Sequence, residues 1–174
     1  MTEKQVEPWL RGTFEEMDAL RRGVLHALEL AGEDAASWCS GLSGEEMGCR
    51  PLGLPSVGFQ LRHIVRSLDR LLTYAEGGGL SEHQMELLRG ELEVEGREAS
   101  LMEFAEGLEV AMLRVRRFGP EMFGEARGVG RKRLPTTVGG LLVHCAEHTQ
   151  RHVGQMVTTA KVVVAMRVSA LVRV

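Results

Sequence analysis

Leu141-Leu142-Val143-His144-Cys145-Ala146-Glu147-His148-Thr149-Gln150-Arg151-His152-Val153-Gly154-Gln155 is the stretch whose reading decides the fold. It holds three of the six histidines, each four residues from the next. In a helix, a step of four residues advances about one turn and rotates the side-chain direction by only about 40°. His144, His148 and His152 then form one column, which Gln155 extends. Two imidazoles at this spacing reach one metal ion from the same helix face. Histidines four apart also occur as ordinary packing, so the metal reading needs a third ligand from elsewhere.

Outward from this column the helix is predicted to start at a Thr136 or Thr137 cap and to run to about Ala165. Leu142, Ala146, Val153, Met156, Val157 and Ala160 share a core-facing stripe that the histidines border. Glu147 and Arg151 form an i,i+4 pair on the other flank. The tail at 162–174 is apolar and β-branched; it extends the helix, docks on the bundle or pairs with another chain. Gly154 is read as permitting close helix or substrate approach.

Three further long helices are predicted upstream. Thr13-Phe14-Glu15-Glu16 has the pattern of a capping box and opens a first helix to Trp38. Ser43-Gly44-Glu45-Glu46 caps a short turn, and Pro51 to Pro55 is a linker. Ser56 caps a second helix, ended near Glu76 by Gly77-Gly78-Gly79. Its stripe is Leu61, Ile64, Val65, Leu68, Leu71, Leu72 and Ala75. At 100° per residue His63 lies about 140° from the stripe's centre, beside Phe59, Gln60, Ser67, Arg70 and Tyr74. Ser81 to Arg89 is a short helix, and Ser100-Leu101-Met102-Glu103 is a second capping pattern opening a third long helix to Phe118. Gly119 to Pro135 then reads as a long Gly-rich loop. No segment alternates with period two over a strand's length. The fold class is therefore all-α, a four-helix bundle with long crossover loops.

At 174 residues the chain is read as a single domain, with 1–12 as an N-terminal extension and 162–174 as the apolar tail. A net charge of −3 gives no reason to expect nucleic acid. The one basic cluster, Arg127, Arg131, Lys132 and Arg133, has no interleaved aromatics for base stacking and reads as a solvated loop. Three cysteines without a C-x-x-C pair read as reduced thiols of a cytoplasmic protein. Cys145 lies about 100° from the histidine column and reads as inert. Met1 to Pro8 lacks the apolar core of a signal peptide, and no run of about 18 apolar residues spans a membrane.

The segment Leu61-Arg62-His63-Ile64, with Ser56-Val57 at its helix start, and His148-Thr149-Gln150-Arg151-His152-Val153-Gly154-Gln155 near the C-terminus resemble the DinB-like superfamily of damage-inducible metalloproteins. The family pattern has one histidine early in the second helix and H-x-x-x-H followed by x-G-Q in the fourth. The resemblance implies a DinB-like four-helix bundle, often a homodimer, with His63, His148 and His152 as ligands of a divalent metal. Imidazole donors suit zinc, nickel, iron or cobalt; zinc and nickel are taken first. Where the family usually has Arg after the last histidine this chain has Val153, which removes any cofactor contact made from there. His144, one turn before His148, is assigned to support of the site, or to the third ligand if His63 points away. Gln155, Phe59, Ser67 and Tyr74 complete the expected pocket.

The resemblance extends to thiol-dependent S-transferases and to mycothiol-dependent maleylpyruvate isomerase, implying a metal that activates a low-molecular-weight thiol against a small electrophile. A non-catalytic metal-binding dimer, in stress response or as a scaffold, is the alternative. Metal-dependent hydrolysis ranks third, because no H-E-x-x-H, P-loop or serine-triad signature is present.

Overall fold

The computed structural model describes residues 6–92 and 96–172, with side chains to 167. Six helices and one β-hairpin follow in chain order: α1 (Ala19–Cys39), α2 (Gly44–Gly48), α3 (Val57–Ala75), α4 (Glu82–Arg89), α5 (Arg97–Val115), β1 (Ala126–Val129), β2 (Leu134–Thr137) and α6 (Val138–Val172). The long helices α1, α3, α5 and α6 form the bundle. Helix α6 packs on α1 and α3, and α5 closes the ring against α3 and α1. Leu25, Leu28, Leu61, Ile64, Leu68, Leu72, Leu142 and Met156 fill the centre. The fold is the all-α bundle expected. No helix among the described residues is long and apolar enough to cross a membrane.

Helix α3 is set by local chemistry. Ser56 Oγ accepts from the Phe59 amide at 3.2 Å and satisfies one free N-terminal donor. Its C-terminus closes on Gly77, whose φ of +84° is left-handed and suits glycine. One approach between helices depends on glycine: a Cβ at Gly107 of α5 would sit 2.5 Å from Val65 Cβ of α3.

Four boundaries differ from the sequence expectation. Helix α1 starts after Asp18, whose Oδ1 accepts from the amides of Leu20 and Arg21 at 3.0 and 3.1 Å. Thr13-Phe14 is drawn away by tertiary contacts. Thr13 Oγ1 lies 3.0 Å from His26 Nε2, and Phe14, at φ 58°, stacks under the Arg116 guanidinium. Helix α5 starts at Arg97, so Ser100 is inside it. Ser100 is buried and accepts from Arg62, while Glu103 pairs with Arg66.

The predicted loop from Gly119 holds a two-stranded hairpin with Ala126 opposite Thr137 and Val129 opposite Leu134. Strands of four residues are too short to show alternation. Finally, α6 passes Ala165 and the tail extends the helix to Val172. No Gly or Pro follows Gly154 to stop it. Arg167 ties the extension down by donating to Glu46 at 2.6 and 2.7 Å and to the Gly41 carbonyl at 3.0 Å.

Candidate metal centre

Helix α3 supplies His63 and helix α6 supplies His148 and His152. One ring nitrogen from each lies within 4.8 Å of the others. Ring centroids are 4.3 Å apart for His63 and His152, 4.4 Å for His148 and His152, and 5.1 Å for His63 and His148. All three are half-buried. His63 was 140° off its apolar stripe in the sequence; the flank it occupies is the one that α6 covers. His63 therefore points in, and His144 stands one turn outside the group, 5.4 Å from His148 between centroids.

The surroundings suit neutral imidazoles. Burial first, then the rings of His152 and His63, push the His148 ring down to about 4. Burial and His63 also lower His152. Imidazoles neutral at pH 7 are the form that binds metal.

Two residues organise the rings from behind. Gln60, fully buried, places its Oε1 2.7 Å from Nδ1 of His152, so that nitrogen donates and Nε2 is left as the acceptor. The same amide donates to Gln155 Oε1 at 3.0 Å, which is how Gln155 joins the site although its side chain is exposed. Glu91, buried just beyond α4, holds Oε2 3.2 Å from Nδ1 of His63, in contact but off the line of a hydrogen bond. Its Oε1 accepts from Arg70 at 3.1 Å, and Arg70 also donates to Ser67 at 2.9 Å. Burial alone would raise the Glu91 carboxyl, but His63 and Arg70 outweigh it and hold it below the usual carboxylate range.

The remaining expected residues fall as follows. Phe59 stacks on His63 at 5.3 Å with 16° between planes. Ser67 and Tyr74 line a recess of about 230 Å³ that reaches His144 and His148. A second recess, on the His152 side, is lined by Arg151, Gly154, Gln155 and Thr158. Gly154 is not a close helix contact, because a Cβ there meets nothing within 4 Å. Glu147 pairs with Arg151 and lies 3.5 Å from Nδ1 of His144. Burial pushes the Cys145 thiol up to about 12 and Cys39 up to about 11, so neither is a nucleophile.

Glu91 had no signal in the sequence. It lies 28 positions after His63, in an acid-rich stretch of sequence, and only the folded chain brings its carboxylate to the ring. Gln60 had one: it precedes His63 by three residues and shares its angular sector.

A family model described as the DinB superfamily matches residues 27–156. No curated protein matches the chain.

Proposed function

The chain belongs to the DinB superfamily, and on that premise we propose that His63, His148 and His152 hold one divalent metal ion, zinc or nickel. The observation that carries this reading is the convergence of three imidazole nitrogens from two helices within 4.8 Å. The donor set fits: three nitrogen ligands leave room for an exogenous molecule, the pattern of catalytic sites. When bound, the ion supplies Lewis acidity that lowers the pKa of a thiol or water beside it.

The chain's own residues do the rest. Gln60 fixes the His152 tautomer and leaves Nε2 for the ion. Glu91 favours the same division for His63, with Arg70 holding the carboxylate in place. Phe59 covers one face of the His63 ring.

At a finer level, we propose thiol S-transfer. A low-molecular-weight thiol loses its proton to solvent and attacks an electrophilic carbon; a sulfur–carbon bond forms, the bond to the leaving group breaks, and that group departs with its electron pair. The thiol comes from outside: burial holds Cys39 and Cys145 protonated, and the exposed Cys49 lines neither recess beside the histidines. Hydrolysis is less well supported, because Glu147 is engaged by Arg151 and Glu91 by Arg70, and neither is a free base.

Exposed Val110 and Leu113 on α5 favour a second reading, a homodimeric metal-binding scaffold without turnover. The test is consumption of a chloronitrobenzene electrophile by metal-loaded protein across a panel of small thiols. Turnover that needs both metal and thiol, and is lost in His148→Ala, supports transfer. No turnover with full metal occupancy removes the transferase and leaves the scaffold, whose mass in solution then has to be that of a dimer.

A further inference from the structure

The hairpin carries the basic cluster that the bundle does not use. A hollow of about 340 Å³ lies between it and the turn after α3, lined by Tyr74, Gly77 to Gly79, Arg127, Gly128 and Arg133. We propose that this hollow binds the anionic end, a phosphate or carboxylate, of an elongated small molecule whose other end reaches the histidine triad. The second half of that statement rests on the metal-site reading above; the first does not.

Three observations converge. The first is the wall itself: Gly77, Gly78, Gly79, Gly128 and Gly130 put no side chain into the hollow, and its charged side chains are Arg127 and Arg133. The Gly77 and Gly78 amides are spent on the Tyr74 and Thr73 carbonyls at 3.0 and 2.9 Å, so recognition falls to the guanidinium of Arg133, whose planar fork suits a phosphate or carboxylate.

The second is charge. Between Glu125 and Thr137 the chain has four cations and one carboxylate, in a protein of net charge −3. Arg127 is committed, donating to the Ala75 carbonyl and to Glu125 at 2.8 Å each. Arg131, Lys132 and Arg133 are exposed and form no ion pair among the described residues. In contrast Arg11, Arg66, Arg70 and Arg114 each meet a carboxylate. Arg133 also holds φ +47°, a left-handed conformation that a side chain ordinarily avoids. Strain of this kind collects at functional positions. The turn is held against Gly128, where a Cβ would come within 3.0 Å of Arg133 Cβ.

The third is position. Tyr74 lines this hollow and also the recess that holds His144 and His148, so one side chain separates the two spaces. Tyr74 lies eleven residues after His63 on α3. At 1.5 Å per residue that is about 16 Å, which sets the length of a molecule touching both ends.

The test is an NMR titration of uniformly 15N-labelled full-length protein with pyrophosphate and, separately, with succinate. Both the parent and a His148→Ala, His152→Ala variant are titrated, so that chelation at the triad is not read as binding. The expected result is saturable shifts of the Gly77, Gly78, Gly79, Gly128 and Gly130 amides in both proteins. Arg133→Gln weakens binding about tenfold, the loss of one charge-assisted contact. Arg133→Gly relieves the left-handed residue, so it keeps or raises the melting temperature while losing the same affinity.

Saturation by pyrophosphate alone assigns a phosphate, by succinate alone a carboxylate; either supports the site. Non-saturating shifts spread over all basic residues overturn it. So does unchanged affinity in Arg133→Gln, or binding of a short RNA with no response to either small anion. Saturation that survives in the double histidine variant separates this site from the fate of the metal centre.

Discussion

Replacing Glu91 tests whether the triad is an organised site or a meeting of three rings. Glu91 is 9% exposed and stands between His63 Nδ1 at 3.2 Å and Arg70 at 3.1 Å. Glu91→Gln keeps the shape and an acceptor but removes the charge; Glu91→Ala removes both. Loss of a partner behind a metal-ligating histidine costs about 10–100-fold in affinity. Glu91→Gln is expected near the lower figure and Glu91→Ala near the upper. Glu91→Ala also leaves the Arg70 guanidinium, 13% exposed, without its carboxylate. An uncompensated polar group so placed costs about 1–3 kcal/mol, and each kcal/mol shifts melting by about 2–4 °C at this chain length. Zinc affinity is measured by competition with a chromogenic chelator, and apo stability by thermal melting in EDTA. Affinity within twofold of the parent in both variants refutes the role given to Glu91, whatever the melting curves do.

The metal-free protein should lose stability in mild acid. His148 titrates near 4 when folded, against about 6.5 unfolded, so between these values the unfolded chain binds the extra proton. The His148 contribution is fully present above pH 6.5 and falls as pH drops toward 4, by about 1–2 kcal/mol at pH 5 after allowing for solvent screening. Urea melts at pH 7.5, 6 and 5 check it, and a flat profile contradicts it. Gly107→Ala forces a Cβ to within 2.5 Å of Val65 Cβ and should cost about 1–3 kcal/mol, with partial rescue by Val65→Ala. Cys49 is exposed while Cys39 and Cys145 are buried, so one thiol should react quickly with a colorimetric disulfide and two only after unfolding; three fast thiols contradict the packing.

The bundle was readable from the sequence because its long helices carry apolar residues at helical spacing and two carry effective caps at Ser56 and Thr137. Thr137 Oγ1 accepts from the Gly140 amide at 3.1 Å. The capping patterns at Thr13 and Ser100 misled for one physical reason: a hydroxyl three residues before an acid caps only if nothing else takes it. Thr13 goes to His26 and Ser100 to Arg62. The hairpin escaped notice because its strands are four residues long and one contains Pro135. Of the site, the column His148–His152 was visible as spacing, whereas the off-stripe position of His63 alone reads as an exposed histidine, and the family resemblance pointed to it as a ligand. Glu91 lies on no helix with any of them; its approach to His63 is a property of the folded chain.

Metal content bears most directly on the central claim. Inductively coupled plasma mass spectrometry is run on untagged protein, purified and then reconstituted with zinc or nickel, beside the His148→Ala, His152→Ala variant. The three-histidine account predicts close to one equivalent in the parent and almost none in the variant, with both proteins folded by circular dichroism. Equal metal in the two proteins, or none in the parent after reconstitution, contradicts it and makes the histidine column an element of packing.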